Sequence, residues 1–251
     1  MHNKSFKKPN RQHGFESMEN VSYLKRKKKP TTGISNLELH EIQPLTDNQE
    51  ILFEEYLKGK NIVATGSAGS GKSYCLLYLM MHDLLYNNNY EKIVIFRSAV
   101  PIRNLGFLPG SEDEKLAAYE LPYKNIFNDL FGRSDAYEIL KKKDLIEFQS
   151  TSYIRGITLN NSLLLVDEWE NCNFHELDTL VTRCGKNTKI HFSGDIKQTD
   201  FDGKKDVSGF HDFISIIQNI EDFHIVNFNI SDCVRNGIVL KYLQEKDRMG
   251  F

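Results

Sequence analysis

An α/β fold, with an open, mainly parallel sheet covered by helices on both faces, is predicted by three observations. Short buried apolar runs alternate with segments of helical period along most of the chain. One of these runs, Asn61–Thr65, leads through a glycine-rich loop directly into a helical pattern. Several others end in carboxylates, amides or a guanidinium, and in such sheets ligands bind at the C-terminal strand ends. The sequence holds no internal repeat and no second domain of comparable size.

The elements follow in order. Residues 1–33 lack apolar periodicity and read as a disordered basic arm that ends at Pro30-Thr-Thr-Gly33. Residues 34–251 read as a single domain. Thr46-Asp-Asn-Gln49 opens an amphipathic helix carrying Ile51, Leu52, Phe53, Tyr56 and Leu57. Asn61–Thr65 is the first buried strand, and Lys72 to about Leu85 is the helix that leaves the loop. Asn87-Asn-Asn89 is a turn, and Lys92–Phe96 is the second strand. From Arg97 to about Gly132 the chain is loop and helix, rich in Leu, Tyr and Phe. Asp144–Phe148 and Ser162–Val166 are strands, the latter ending in Asp167-Glu168. Asn173–Arg183 is a helix, and Lys189–Phe192 is a strand that ends at Ser193-Gly194-Asp195. Ser208–Gln218 is a helix with Phe210, Phe213, Ile214 and Ile217 on one face. His224–Phe228 is a strand, and Arg235 to about Lys246 is the last helix.

Composition narrows the class. The chain has 251 residues, of which 40% are hydrophobic, enough for a sizeable core. No apolar run approaches the ~18–20 residues of a membrane span, and the polar N-terminus lacks a secretory core. A cytoplasmic protein without membrane attachment is expected. The cysteines Cys75, Cys172, Cys184 and Cys233 are scattered, which disfavours disulfides and zinc. Nine of the 32 bases but only two of the 34 acids fall in residues 1–30, so a basic arm precedes an acidic body. Such an arm is either a solubilising tail or a contact for phosphate backbones.

Gly66-Ser67-Ala68-Gly69-Ser70-Gly71-Lys72-Ser73 fits G-x-x-x-x-G-K-[ST], the phosphate loop of nucleoside triphosphatases. The strand before it and the helix after it supply the context that the chemistry needs. Backbone N–H groups and the helix N-terminus face one anion. Lys72 is the residue for the β- and γ-phosphates, and Ser73 is a ligand for Mg²⁺. Leu163-Leu-Leu-Val-Asp167-Glu168 is the second signal, because carboxylates at the end of a buried strand need a cation or water. Asp167 is assigned to Mg²⁺ and Glu168 to activation of the attacking water. Ser193-Gly-Asp195-Ile-Lys-Gln198 is the third, with Gln198 placed to sense the γ-phosphate. Arg235 is a candidate for transition-state charge, although its spacing alone also fits a salt-bridged helix start. Gln49 has two readings. Thr46-x-x-Gln49 is a capping box, and the segment from Ile42 to Gln49 also resembles the stretch by which helicases read adenine.

On these residues the chain resembles the PhoH-like ATPases, relatives of superfamily 1 helicases, and looks like a bacterial or phage member. The likeness runs over about residues 40–246. It is carried by Pro44–Gln49, Gly66–Ser73, Phe96–Val100, Leu105-Gly-Phe-Leu-Pro-Gly110, Ile154–Thr158, Asp167–Asn171, Thr182–Gly185, Gly194–Asp200 and Asp232–Arg235. The resemblance implies a three-layer RecA-like P-loop NTPase domain that binds ATP and Mg²⁺. It also implies a sensor role for Gln198 and an arginine contact from Arg235. Two departures stand out. Phe96-Arg97-Ser98 replaces the family's Thr-Arg-Pro, and Glu170 replaces a Gln.

Helicase relatives imply a single-stranded nucleic acid, RNA before DNA, along the rim. Arg97, Arg103 and Arg155 are candidates for its phosphates, and Phe107 for stacking. A single motor lobe implies a homo-oligomer, a hexameric ring by resemblance. The leading expectation is therefore an ATPase coupled to single strands. Its rivals are a nucleotide-switched interaction protein with slow hydrolysis and, more remotely, a small-molecule kinase.

Overall fold

The structure, a computed structural model, describes residues 34, 36–87, 89–98, 112–151, 154, 156, 158–195 and 209–249, with backbone alone for 112–116. Among these residues six strands form one sheet. They are β1 (Asn61–Gly66), β2 (Lys92–Arg97), β3 (Ile146–Ser150), β4 (Ser162–Asp167), β5 (Lys189–Gly194) and β6 (Phe223–Phe228), in the order β3-β2-β4-β5-β1-β6. Every pairing is parallel. The helices are α1 (Asp47–Leu57), α2 (Lys72–Tyr86), α3 (Glu112–Leu130), α4 (Ala136–Lys142), α5 (Phe174–Thr182), α6 (Phe210–Ile217) and α7 (Ile238–Arg248).

Successive strand residues point to opposite faces, and here both faces are covered. Ile62, Ala64, Ile93, Ile95, Leu163 and Leu165 pack in one apolar cluster with α1, α2, α3 and α4. Val63, Val94, Phe96, Leu164, Val166 and Phe192 pack in the other with α5 and α6. That is why the central strands are apolar at almost every position: β4 is buried along its whole length. The three layers are the fold expected from the sequence.

Some boundaries differ for local reasons. Asp144 adopts φ 56°, a turn conformation, so β3 starts at Ile146 rather than at Asp144. The seven-residue α4 has little sequence signal, since its only buried residues are Ala136, Tyr137 and Leu140. The last helix begins at Ile238, not Arg235, because Gly237 sits at φ 70°, ψ −133°. Arg235 is thus in the connection between a 3₁₀ turn (Ile230–Asp232) and α7. No helix among the described residues is long and apolar enough to cross a membrane.

β6 matters to the site because it ends against the start of the phosphate loop. The Ser67 N–H donates to the Phe228 carbonyl at 3.1 Å. Gly66, at φ 114°, comes so close to that strand that a Cβ would lie 1.8 Å from the same oxygen. Gly66→Ala is therefore expected to destabilise the fold by about 1–3 kcal/mol, read by urea unfolding. An unchanged midpoint would contradict this account of the β1–β6 junction.

Candidate active site

The site is assembled where the parallel strands end. Register aligns Thr65 with Gly194, Asp167 with Ser193, and Arg97 with Asp167. The phosphate loop leaves β1 and curls into α2. Lys72 is buried and its ammonium donates to the carbonyls of Gly66 and Ser67, both at 2.8 Å, and to Ser70 Oγ at 3.3 Å. It stands 5.9 Å from the centre of the Phe228 ring. Burial lowers its pKa, while the charges of Asp195, Asp167, Glu170 and Asp232 act in the opposite direction. Lys72 therefore faces Asp167, Asp195 and Asp232, together with the carboxyl of Glu170.

Asp167 ends β4 and is buried. Its Oδ1 accepts from Ser73 Oγ at 2.7 Å, and its Oδ2 accepts from the Tyr123 hydroxyl at 2.8 Å. Ser193 Oγ lies 2.8 Å from Ser73 Oγ. β5 separates β1 from β4 in the sheet, so this cluster ties the loop to Asp167 across an intervening strand. Two hydroxyl donors satisfy a carboxylate that would otherwise be costly to bury. Burial and the nearby Asp167 charge hold the Tyr123 phenol well above its ordinary pKa, so it is a neutral donor.

The chain turns sharply after Asp167. Glu168 takes the left-handed conformation, φ 51°, ψ 43°, and starts a 3₁₀ turn over Trp169–Asn171. Trp169 is buried against Phe192, Phe210 and Phe213, with ring centroids 5.0–5.9 Å away. That anchor holds a backbone conformation that costs a non-glycine residue free energy. The Glu168 carboxylate is ion-paired with Arg97 Nη2, and the guanidinium lies over the Tyr119 ring, 5.1 Å from its centre. Glu170 is buried and its Oε2 has no hydrogen-bond partner among the described residues. That oxygen presses on Gly194, where a Cβ would lie 1.9 Å from it. Burial pushes the Glu170 pKa from 4.5 to about 8.

On the other side of the loop lies a cavity of about 520 Å³, lined by Ile42, Leu45, Gln49, Tyr74, Val234 and Arg235 and floored by Gly69 and Gly71. The volume suits a small-molecule ligand. Gln49 is buried; its Oε1 accepts from the Leu45 N–H at 2.8 Å and its Nε2 donates to Ser70 O at 2.9 Å. Thr46 caps α1 by accepting from the Gln49 N–H at 3.3 Å. The side-chain amide turns to Leu45 and the loop, and only this half of the expected capping box forms. An amide keeps a second N–H and a second lone pair, so Gln49 remains equipped to meet a base edge. Arg235 lies over the loop, its Cδ and Cγ 3.1 and 3.2 Å from the position a Gly69 Cβ would take. The Val234 N–H donates to Gly69 O at 3.1 Å, and Asp232 accepts from Asn48 at 2.8 Å. The segment after β6 thus joins α1 to the loop within one chain.

Lys72, Ser73, Asp167, Arg235 and Gln49 therefore meet at one loop, while Glu168, next to Asp167, is turned to Arg97. Arg97, expected on a nucleic-acid path, is engaged with Glu168. Gln198, Arg103, Phe107 and Arg155 lie outside the described residues. Sequence reasoning misses two contributors. Tyr123 belongs to no motif of its helix, and Ser193 reads only as the residue before Gly194-Asp195. Among the described residues no group of three or more His, Cys, Asp or Glu converges as a metal cage.

A three-layer parallel sheet whose first strand feeds a phosphate loop, with a buried Asp at the end of β4 bonded to the loop serine, defines a RecA-like P-loop nucleotide-binding protein. The family model described as PhoH-like protein matches residues 41–245, and the chain belongs to that family. It is similar to the PhoH-like protein of Mycobacterium tuberculosis (strain ATCC 25618 / H37Rv), 31% identical over 201 residues, covering 79% of this chain and 56% of the relative. It is 28% identical over 235 residues to the PhoH-like protein of Bacillus subtilis (strain 168), covering 93% and 70%. Protein PhoH of Escherichia coli (strain K12) is 30% identical over 184 residues, covering 72% and 51%. The chain thus spans little more than half the length of several relatives it matches. Among solved structures, the large terminase of a thermophilic bacteriophage aligns at TM-score 0.49 and 12% identity, covering 83% of this chain and 51% of that one.

Glu170 gives a pH prediction. The folded protein keeps the proton from 4.5 up to about 8, whereas the unfolded chain releases it. Stability is therefore lost as pH rises through that window. Glu170→Gln lacks the proton, so its melting temperature relative to the unsubstituted chain should rise between about pH 5 and about pH 8.5, measured without nucleotide or divalent metal. A pH-independent difference would contradict the assignment.

Proposed function

We propose that the chain is a Mg²⁺-dependent ATPase whose turnover is coupled to single-stranded nucleic acid, RNA before DNA, with residues 34–251 acting as one domain. The observation that carries this reading is the bond from Ser73 Oγ to Asp167 beside the Lys72 ammonium. It puts two hard oxygen donors at the mouth of a phosphate loop. Mg²⁺ is commonly held by one or two protein oxygens together with substrate phosphates and waters, so a multi-residue cage is not required. Ser73 and Asp167 would hold the ion, and the ion would neutralise charge on the β- and γ-phosphates.

The chain's own groups supply the rest. The backbone of Gly66 to Gly71 cradles the phosphates, and Lys72 moves from the loop carbonyls to the phosphate oxygens. Glu168 accepts the proton of the attacking water. Arg235, already packed on Gly69, supports the charge that develops in transfer, and Gln198 reports the phosphate state. The cavity beside Gln49 takes the base. Arg103, Phe107 and Arg155 are the candidate strand contacts. A cytoplasmic homo-oligomer, hexameric by family resemblance, completes the reading. Membership of the PhoH-like family supports the nucleotide-binding part of this reading.

A second reading, a nucleotide-switched interaction protein with slow hydrolysis, is favoured by one observation: the Glu168 carboxylate is engaged by Arg97. The two readings separate on turnover with and without single strands. Lys72→Ala should abolish phosphate release. Glu168→Gln should bind ATP within about twofold of the unsubstituted chain and turn over about 10²–10⁴-fold more slowly. Normal turnover by Glu168→Gln would remove Glu168 as the base. Oligouridylate should raise the unsubstituted chain's rate, and indifference to every single strand would favour the second reading.

A further inference from the structure

The Arg97–Glu168 pair is built in an unusual way. Arg97 is the last residue of β2, in register with Asp167 on the neighbouring strand, so its side chain emerges beside the acid pair. Its side chain is 16% exposed and that of Glu168 38%, so the pair is only partly shielded from solvent. The guanidinium lies over Tyr119, whose helix also carries Tyr123, one turn on, bonded to Asp167. α3 therefore braces both acids, Asp167 directly and Glu168 through Arg97.

The bond itself is incomplete. Nη2 and Nε form the edge by which a guanidinium grips an oxyanion with two parallel bonds. Nη2 is bonded to Glu168, whereas Nε is buried with no hydrogen-bond partner among the described residues. A buried donor left unpaired is costly, so Arg97 is not at its best with this carboxylate. An oxyanion that took both nitrogens would be preferred. Arginine favours planar carboxylates and phosphates for that reason. A carboxylate neutralised by a guanidinium is in turn a poorer proton acceptor for water.

We propose that Arg97 is a positioning residue that restrains Glu168, and that a phosphodiester of a bound single strand releases Glu168 by taking the guanidinium. This rests on the reading of Glu168 as the base in ATP hydrolysis. It gives that reading a means of coupling: the strand end that meets nucleic acid is the one that holds the base. Glu168 then faces the attacking water only when Arg97 is engaged elsewhere.

The test is steady-state phosphate release by the full chain, with and without oligouridylate, for the unsubstituted protein, Arg97→Gln and Arg97→Lys. Circular dichroism establishes that each variant is folded. Arg97→Gln without RNA should turn over on the order of tenfold faster than the unsubstituted chain without RNA. Its KM for ATP should hold, and oligouridylate should add little. Arg97→Lys keeps the charge but not the fork, so its RNA-free rate should lie between the two, with partial stimulation retained. A merely structural role predicts slower turnover in both variants. Equal or slower RNA-free rates in both variants, while the unsubstituted chain responds to RNA, would overturn the restraint and leave the ATPase reading standing. Faster variants with no RNA response in the unsubstituted chain would uphold the restraint and overturn its release by a strand.

Discussion

The bond between Ser73 and Asp167 is the constraint on which the rest of the site depends. Ser73 opens α2 and Asp167 closes β4, and β5 lies between β4 and β1 in the sheet. For the two side chains to meet at 2.7 Å, the strands must end in register and the loop must return across the edge of β5. Ser193, at the end of β5, sits at the crossing and shares the same hydroxyl. Each element is placed by ordinary packing of apolar faces. The convergence is what packing alone does not explain, because it brings a buried carboxylate and a buried ammonium to one rim. Hydroxyl donors from Ser73 and Tyr123 offset the burial of Asp167, and the loop carbonyls offset that of Lys72.

The three acids at the end of β4 and just beyond it have different environments although they lie within four residues. Asp167 accepts two hydroxyl bonds. Glu168 is thrown outward by a left-handed backbone and meets Arg97. Glu170 is carried back inward by the 3₁₀ turn and holds its proton. Trp169, wedged among Phe192, Phe210 and Phe213, is the pivot that sends its two neighbours in opposite directions. Where the family pattern has a Gln, this chain thus places a carboxyl kept neutral by burial, which resembles an amide in shape and in its ability to donate.

Much of this is legible in the sequence. The phosphate loop and the Asp-Glu strand end are readable because their chemistry needs particular residues at fixed local spacing. The two-sided sheet is readable because strands covered on both faces carry apolar runs. What cannot be read arises from tertiary register. Arg97 and Glu168 meet because β2 pairs with β4, and a linear pattern does not show which strands are neighbours. Tyr123 reaches Asp167 from a helical position that carries no site signal of its own. Gln49 is legible as a polar residue near the loop, but its hold on Ser70 depends on how α1 docks. Sequence pattern starts the last helix three residues early because Gly237, which stops it, reads like an ordinary turn glycine.

The central claim is that Ser73 and Asp167 close a shared magnesium–triphosphate site. The most direct measurement is equilibrium ATP binding with Mg²⁺ and with EDTA, for the unsubstituted chain, Ser73→Ala and Asp167→Asn. The account predicts that Mg²⁺ tightens ATP binding to the unsubstituted chain and that either substitution removes most of this metal dependence. Equal metal dependence in all three proteins would contradict it.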